Sequence, residues 1–518
     1  MARKKAAPVR GDGAALLRGG TRQVRKLDYA GALKTFQRAL SSALKASRQD
    51  WELSARCSVA DVCNVLGRWN QAEAEARAVL ESGQPVPCVR AWLLLGEVIG
   101  NRGDPEEAAH CFQEALELAQ KHELAYFSAL AAMRLSAVAG RTGAVDRSRQ
   151  FALDTLAAMP AHSDKQELRE LKAGLHVQLG LCSLRRSQLP LAEGEFWSAI
   201  DALQGRPSLE EAHVRRYLGV LAGLRGRHRT ALLHHMEAFR LFEKAGCRFG
   251  LAKTYESIGR TFLVLNRMEE AVYTLKKSAA MCRRLGADSE MATIYGKLGQ
   301  VYLLREEYER AADYFRRDLA TSSRFRNDYA LGFSYRNLGR CQLALGALDQ
   351  AVESLRRSLQ LFDSVQDAVN VGRVQMDLCQ AYTRQGKAEL ALAACQAARK
   401  LLSDYAMDRE LAYLGALDGV ICRLRGDYAG GERRLKAAIA ALGSSKSSAW
   451  LAEAWFELGL LYLGRNRAGA LDALQNALRT AREAGLQREK GRFLAELESH
   501  DPYAFFNTLM EGIVDSRR

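Results

Sequence analysis

Along most of the chain, apolar residues recur at spacings of three and four, the signature of one buried helix face. Short polar turns such as "NRGDP" and "LGALD" interrupt these runs, so each stretch predicts two antiparallel helices. Three segments, "YESIGRTFLVLNRMEEAVYTLKKS", "YGKLGQVYLLREEYERAADYFRRD" and "YRNLGRCQLALGALDQAVESLRRS", align without gaps, and their glycines Gly259, Gly299 and Gly339 stand 40 residues apart. The same ruler reaches Cys379, Gly419 and Gly459 going forward, and Gly219, Gly180, Ser136, Gly96, Ala60 and Gly20 going back. Twelve repeats therefore fill residues 12–484, with the weakest matches at 12–160 and the strongest at 208–465.

Each repeat has the same internal columns. A large residue stands four before the glycine (Trp92, Tyr255, Tyr295, Tyr335, Trp455), and a small one twelve after it (Ala72, Ala108, Ala192, Ala231, Ala271, Ala311, Ala351, Ala391). Four further on comes an apolar residue such as Phe112, Phe196, Leu275, Phe315 or Leu355. Glycine inside a helix costs about 1 kcal/mol against alanine, so its recurrence needs a reason. The expectation is close approach: Gly on the first helix and Ala on the second bring the backbones together, and the aromatic fills space toward the next repeat. Asp104-Pro105 predicts an N-cap followed by proline at the first helical position. One hairpin cannot bury such a face alone, whereas stacked hairpins bury it continuously.

The pattern W/Y-x-x-L-G-x-x-Y…A-x-x-x-F resembles the tetratricopeptide repeat, in a 40-residue helix-extended form rather than the commoner one of about 34. The resemblance covers nearly the whole chain. It implies an all-α, right-handed superhelical solenoid of about twelve antiparallel helix pairs, with first helices lining a concave face that binds protein segments. It also implies which first-helix positions meet a ligand. In the sixth repeat this is Arg216, and in the seventh Lys253, Glu256 and Arg260. The eighth supplies Lys297 and Gln300, the ninth Arg336, Asn337 and Arg340, and the tenth Arg373, Gln380 and Arg384. This stretch is cationic, with Glu256 and Asp377 as acidic exceptions, and guanidinium suits carboxylate or phosphate. The expected partner is thus an acidic or phosphorylated protein segment across repeats six to ten, set against the plainer reading of a basic protein with Arg-rich polar faces. A regulatory sensor, whose array binds a peptide or small effector and switches an output partner, is the alternative.

Composition narrows the class. Of 518 residues 48% are hydrophobic and 26% charged, and no proline occurs between Ser208 and Asp501, which disfavours a β-sandwich or barrel. No apolar run reaches the 18 residues of a membrane span; Ala91–Gly100, the best short one, carries Glu97. The formal charge is +15, and residues 1–26 hold eight basic side chains against Asp12 alone. That opening lacks the apolar core of a secretory signal and is read as a basic tail (1–11), with an organellar presequence as the alternative. The expected location is cytoplasmic.

A second basic ladder, Lys276-Lys277, Arg316-Arg317 and Arg356-Arg357, is expected on the outer surface. Nucleic acid or an anionic membrane could use it, but a solvated face explains it without any partner, and nucleic acid is not the expected ligand. Nucleotide-, zinc- and hydrolase-type motifs are absent, so the expectation is no enzyme, no cofactor, no metal and no small-molecule substrate. His228, His234 and His235 lie among Arg227 and Arg229 and are read as a helical surface rather than a metal site. The eleven cysteines contain no C-x-x-C, and Cys63, Cys111, Cys379, Cys395 and Cys422 fall in packing columns. The period slips near "ESGQPVPC" and "AMPAHSDKQ", the expected register breaks. Residues 485–500 predict a capping helix. Residues 501–518 carry Tyr503, Phe506, Leu509, Met510 and Ile513 at helical spacing, to pack on the cap, dock on a partner or occupy the groove as an autoinhibitor.

Overall fold

The computed structural model describes residues 12–160, 165–325, 328–444, 448–463 and 465–501. The basic tail and the amphipathic C-terminal segment lie outside the described residues. Among the described residues there are twenty-five α-helices and no strand. The first seven pairs are α1 Asp12–Arg25 with α2 Tyr29–Lys45, α3 Gln49–Val65 with α4 Trp69–Leu80, α5 Pro85–Arg102 with α6 Pro105–Lys121, α7 Ala125–Arg141 with α8 Val145–Ala157, α9 Gln166–Arg185 with α10 Leu189–Leu203, α11 Leu209–Leu224 with α12 His228–Ala245, and α13 Arg248–Val264 with α14 Met268–Leu285. Five pairs follow: α15 Asp288–Leu304 with α16 Tyr308–Ser322, α17 Asp328–Ala344 with α18 Leu348–Ser364, α19 Ala368–Arg384 with α20 Ala388–Ser403, α21 Asp408–Leu424 with α22 Tyr428–Ser444, and α23 Ser448–Tyr462 with α24 Arg467–Glu483. Helix α25, Gln487–His500, ends the series. All twelve positions of the 40-residue ruler fall on the first helix of a pair.

The columns now have geometric causes. A Cβ placed on Gly96 would lie 2.5 Å from Cε1 of Phe112, and one on Gly299 would lie 2.7 Å from Cε1 of Phe315. The space beside the glycine is therefore taken mainly by the apolar side chain sixteen residues later. The sequence expectation of two bare backbones in contact holds only in part: at Gly219 the added Cβ would also sit 3.0 Å from the carbonyl oxygen of Ala231. Phe112, Phe196, Phe315 and Leu275 are almost completely buried there, each contributing about 1.5–3 kcal/mol of hydrophobic burial. The aromatic column reaches toward the neighbouring pair, as Tyr255 does against Phe239 at 5.2 Å between centroids, edge to face. In eleven of the twelve repeats the residue seven past the ruler position has positive φ; Gly103 takes it at 116° and Gly426 at 82°. Asp104 accepts a hydrogen bond from the Glu107 amide at 3.0 Å and caps α6, as its position before Pro105 predicts.

The chain forms two compact units, residues 1–298 and 299–518, so the boundary falls inside α15. Both places where the sequence ruler slips lie within the N-terminal unit. That unit closes on itself: Leu27, Tyr29 and Val65 from the first two pairs pack with Ala212 and Phe242 from the sixth and with Cys247, the N-cap of α13. Trp69 meets Phe249 edge to face at 5.5 Å between centroids. In the C-terminal unit α25 returns to the start of α16. The Arg488 amide donates to Glu306 at 3.0 Å, its guanidinium pairs with Glu309 at 2.9 Å, and it lies 5.5 Å from the Tyr308 ring centroid.

Candidate functional site

Closure gives each unit a charged interior lined by first helices. In the C-terminal unit a cavity of about 370 Å³ is bordered by Arg336, Arg340, Arg373 and Arg384, four of the residues expected to meet a ligand, together with Tyr308 and Trp450. The expectation of a mainly cationic face needs correction, because carboxylates of neighbouring first helices stand on the same surface. Arg336 pairs with Asp377 at 2.6 Å, Arg373 with Glu410 at 3.0 Å and Arg384 with Glu453 at 3.0 Å. Arg384 also donates to the Leu343 carbonyl at 3.1 Å.

Glu453 is the centre of this interior. Besides Arg384 it accepts hydrogen bonds from the Tyr413 hydroxyl at 2.6 Å and the Gln380 amide at 3.2 Å, and Arg492 of α25 lies 3.5 Å away. Burial alone would raise its carboxyl, but the two guanidiniums and the tyrosine hold it at about 2. The Tyr413 ring stacks on Trp450 at 4.8 Å, fixing the hydroxyl that meets the carboxylate. Glu457 stands apart: burial lifts its carboxyl even though Arg423 pairs with it at 2.7 Å.

Arg340 differs from its neighbours. It reaches solvent inside the cavity, and no carboxylate or hydrogen-bond acceptor among the described residues engages it. The surrounding protein and the nearby Arg336 charge depress its pKa, while Asp377 opposes them. Asn337 is buried at 9% exposure and Gln300 is half-buried; neither borders this cavity.

In the N-terminal unit a chamber of about 600 Å³ includes Arg216 and Lys253 from the expected set, with Tyr217, Phe249, Glu170 and Glu210. A side cavity of about 190 Å³ shares Tyr29, Glu170 and Glu210. Here too neighbouring first helices exchange ion pairs: Arg134 with Glu97 at 2.5 Å, and Lys253 with Glu290 at 2.6 Å. Burial would raise the Glu290 carboxyl, but Lys253 brings it below its ordinary value. Arg216 is buried at 6% exposure, its guanidinium carbon 4.2 Å from the Tyr217 ring centroid, and its Nε has no hydrogen-bond partner. Burial, and then the Arg216 charge, push both His213 and His235 down to about 3. His235 is completely buried against Gly219, so the surface expected for the histidine cluster does not include it. Among the described residues no group of three His, Cys, Asp or Glu side chains is placed to hold a metal ion.

Arg260 and Lys297 are half-buried on α13 and α15 and border neither of these cavities. Ten of the eleven cysteines are buried and Cys422 is partly so; burial pushes the Cys63 thiol up to about 11. The six cations of the outer ladder are exposed, as expected. No helix among the described residues is long and apolar enough to cross a membrane.

Carboxylates were the residues that position-matching missed: Glu170, Glu210, Glu290, Glu410 and Glu453. A signal for some of them was present. Glu97 and Arg134, Lys253 and Glu290, and Arg373 and Glu410 all stand 37 residues apart, three short of the period. For Glu453 the signal was partial: Tyr413 stands one 40-residue period before it, whereas Gln380 and Arg384 are 73 and 69 residues away.

Comparison with known proteins agrees with this architecture. Residues 89–122 and residues 250–320 each match a tetratricopeptide repeat model. Among solved structures, the apo form of RapI is similar with a TM-score of 0.53 at 15% identity, over 70% of this chain and 99% of that one. The APC/C hetero-tetramer Cut9–Hcn1 is similar with a TM-score of 0.53 at 16% identity, over 93% of this chain and 90% of that one. At such identities the likeness speaks for the fold alone. Residues 89–122 and 250–320 are thus tetratricopeptide repeats by sequence, and the paired helices before, between and after them share that fold.

Proposed function

We propose that this chain is a non-catalytic protein-interaction scaffold that holds an acidic segment of a partner protein against the first helices of its C-terminal unit. The observation that carries the reading is Arg340, a solvent-facing guanidinium in a lined cavity whose flanking arginines are already paired. Arg336, Arg373 and Arg384 then act as the internally braced frame of the groove, and Arg340 as the group free to meet a carboxylate. Tyr308 and Trp450 supply apolar wall on either side. The non-catalytic character rests on the same chemistry: Glu453 is tied to the guanidiniums and the tyrosine around it, and burial raises thiols such as that of Cys63.

The test is binding of a peptide array graded in Asp and Glu content, measured by fluorescence anisotropy. Arg340→Glu should weaken acidic peptides about tenfold or more, the loss of one charge-assisted hydrogen bond, and leave neutral ones unchanged. Equal affinity of wild type and variant for every peptide would sink the reading.

A further inference from the structure

The chamber of the N-terminal unit is not charge-balanced in the way its neighbour is. Three of the cations bordering it are neutralised within the chain: Arg90 by Asp61 at 2.7 Å, Arg134 by Glu97 at 2.5 Å and Lys253 by Glu290 at 2.6 Å. Arg216 is left out. It is buried at 6% exposure, borders the chamber, has an unpartnered Nε, and has no carboxylate within 4.0 Å among the described residues. A guanidinium cannot escape this by losing its proton. Nor does a neighbour relieve it, since the stacked Tyr217 offers only a ring face and one hydroxyl.

The opposite imbalance lies on the same helix. Glu210 stands six residues before Arg216 on α11 and borders the chamber beside Glu170 of α9. Glu170 accepts a hydrogen bond from Gln166 at 2.7 Å, and neither carboxylate has a cation within ion-pair distance among the described residues. Burial and the Glu210 charge raise the Glu170 carboxyl to about 7, against the opposing charge of Arg25. Six helical residues rise roughly 9 Å along α11, so a cation and a carboxylate that are in no ion pair border one cavity from positions about that far apart along the helix, with Glu170 beside them. The chamber is also lined by the aromatic rings of Tyr217 and Phe249.

We propose that this chamber binds a short zwitterion, with its carboxylate on Arg216 and its ammonium between Glu170 and Glu210. Extended chain advances about 3.3–3.6 Å per residue, so a free tripeptide spans about that rise. This site is separate from the one proposed in the C-terminal unit and does not depend on it.

The test uses the full chain and three random tripeptide libraries: free at both ends, N-acetylated, and C-amidated. The free library should raise the melting temperature by about 2 °C or more, and either blocked library should forfeit most of that rise. Arg216→Met should keep or raise the melting temperature without ligand, and should respond equally to free acids and amides. Glu210→Gln should respond equally to free and acetylated amines. Arg216→Lys keeps the charge and should retain part of the preference for free acids, which covers failure of the methionine variant to fold. Arg340→Glu should leave all these responses unchanged. Equal shifts for the three libraries, no shift with any, or a loss of melting temperature in Arg216→Met with discrimination intact would overturn the proposal.

Discussion

The two interiors are built from the same part, the inner face of successive first helices, yet they handle charge in opposite ways. In the C-terminal unit Glu453 gathers Arg384, Arg492, Gln380 and Tyr413, and its carboxyl is held at about 2. In the N-terminal unit Glu170 and Glu210 have no cation within ion-pair distance among the described residues, the Glu170 carboxyl rises to about 7, and Arg216 is buried without an ion pair. Repeat packing does not explain the difference, because a glycine packed against the apolar side chain sixteen residues later recurs in both, as Gly96 on Phe112 and Gly299 on Phe315. It lies in a handful of polar residues that the repeat leaves unconstrained. Satisfied charges brace a structure, whereas unsatisfied ones mark where something else is meant to sit.

Breaking the satisfied interior should have the largest effect. Glu453→Gln strands the Arg384 guanidinium, while Arg492 keeps Glu489 at 2.8 Å, and should cost the C-terminal unit about 3–5 kcal/mol, read by hydrogen exchange in peptides of α19 and α23. Glu210→Gln, which relieves repulsion, should leave α9 and α11 at least as protected as in wild type.

Acidity should separate the two units in opposite senses. The lowered Glu453 carboxyl gives stability that is present above its ordinary value near 4.5 and is lost as pH falls from there toward 2. The raised Glu170 carboxyl favours the native state only while protonated. Its contribution is therefore present below about 4.5 and is lost as pH rises toward 7, by at most about 3 kcal/mol. Exchange rates in α9 should quicken across that second window in wild type and stay flat in Glu170→Gln. A rise in α9 protection between pH 4.5 and 7 would contradict the assignment.

The shared packing predicts equal effects instead. Gly96→Ala and Gly299→Ala each drive a Cβ against a buried phenylalanine, and each should cost about 1–3 kcal/mol in its own unit. Smallest of all is the contact that closes the C-terminal unit. Arg488 and Glu309 remain about half exposed, so Arg488→Glu should change stability by about 1 kcal/mol or less, an effect that salt removes.

Most of the fold was legible because the repeat constrains residues whose physics is local. The ruler placed Gly96, Gly299 and their partners on helices, and turn glycines such as Gly103 and Gly426 marked changes of direction. What filled the space beside Gly96 was less legible, since periodicity alone does not tell a backbone contact from the ring of Phe112. The candidate sites were legible only by half. Arg336, Arg340, Arg373 and Arg384 do converge on one cavity, but their neutralising carboxylates sit on other repeats at offsets the period does not predict. The meeting of Leu27 with Phe242 depends on how the stack curves, and no local pattern encodes that.

The most direct measurement compares Arg216→Met with Arg384→Met by hydrogen exchange of the full chain without ligand. The account predicts that Arg216→Met leaves α11 as protected as in wild type or more so, while Arg384→Met lowers protection of α19 and α23 by about 3–5 kcal/mol. Similar losses in both variants would contradict it, for then the buried arginine of the N-terminal unit would brace its surroundings just as its counterpart does.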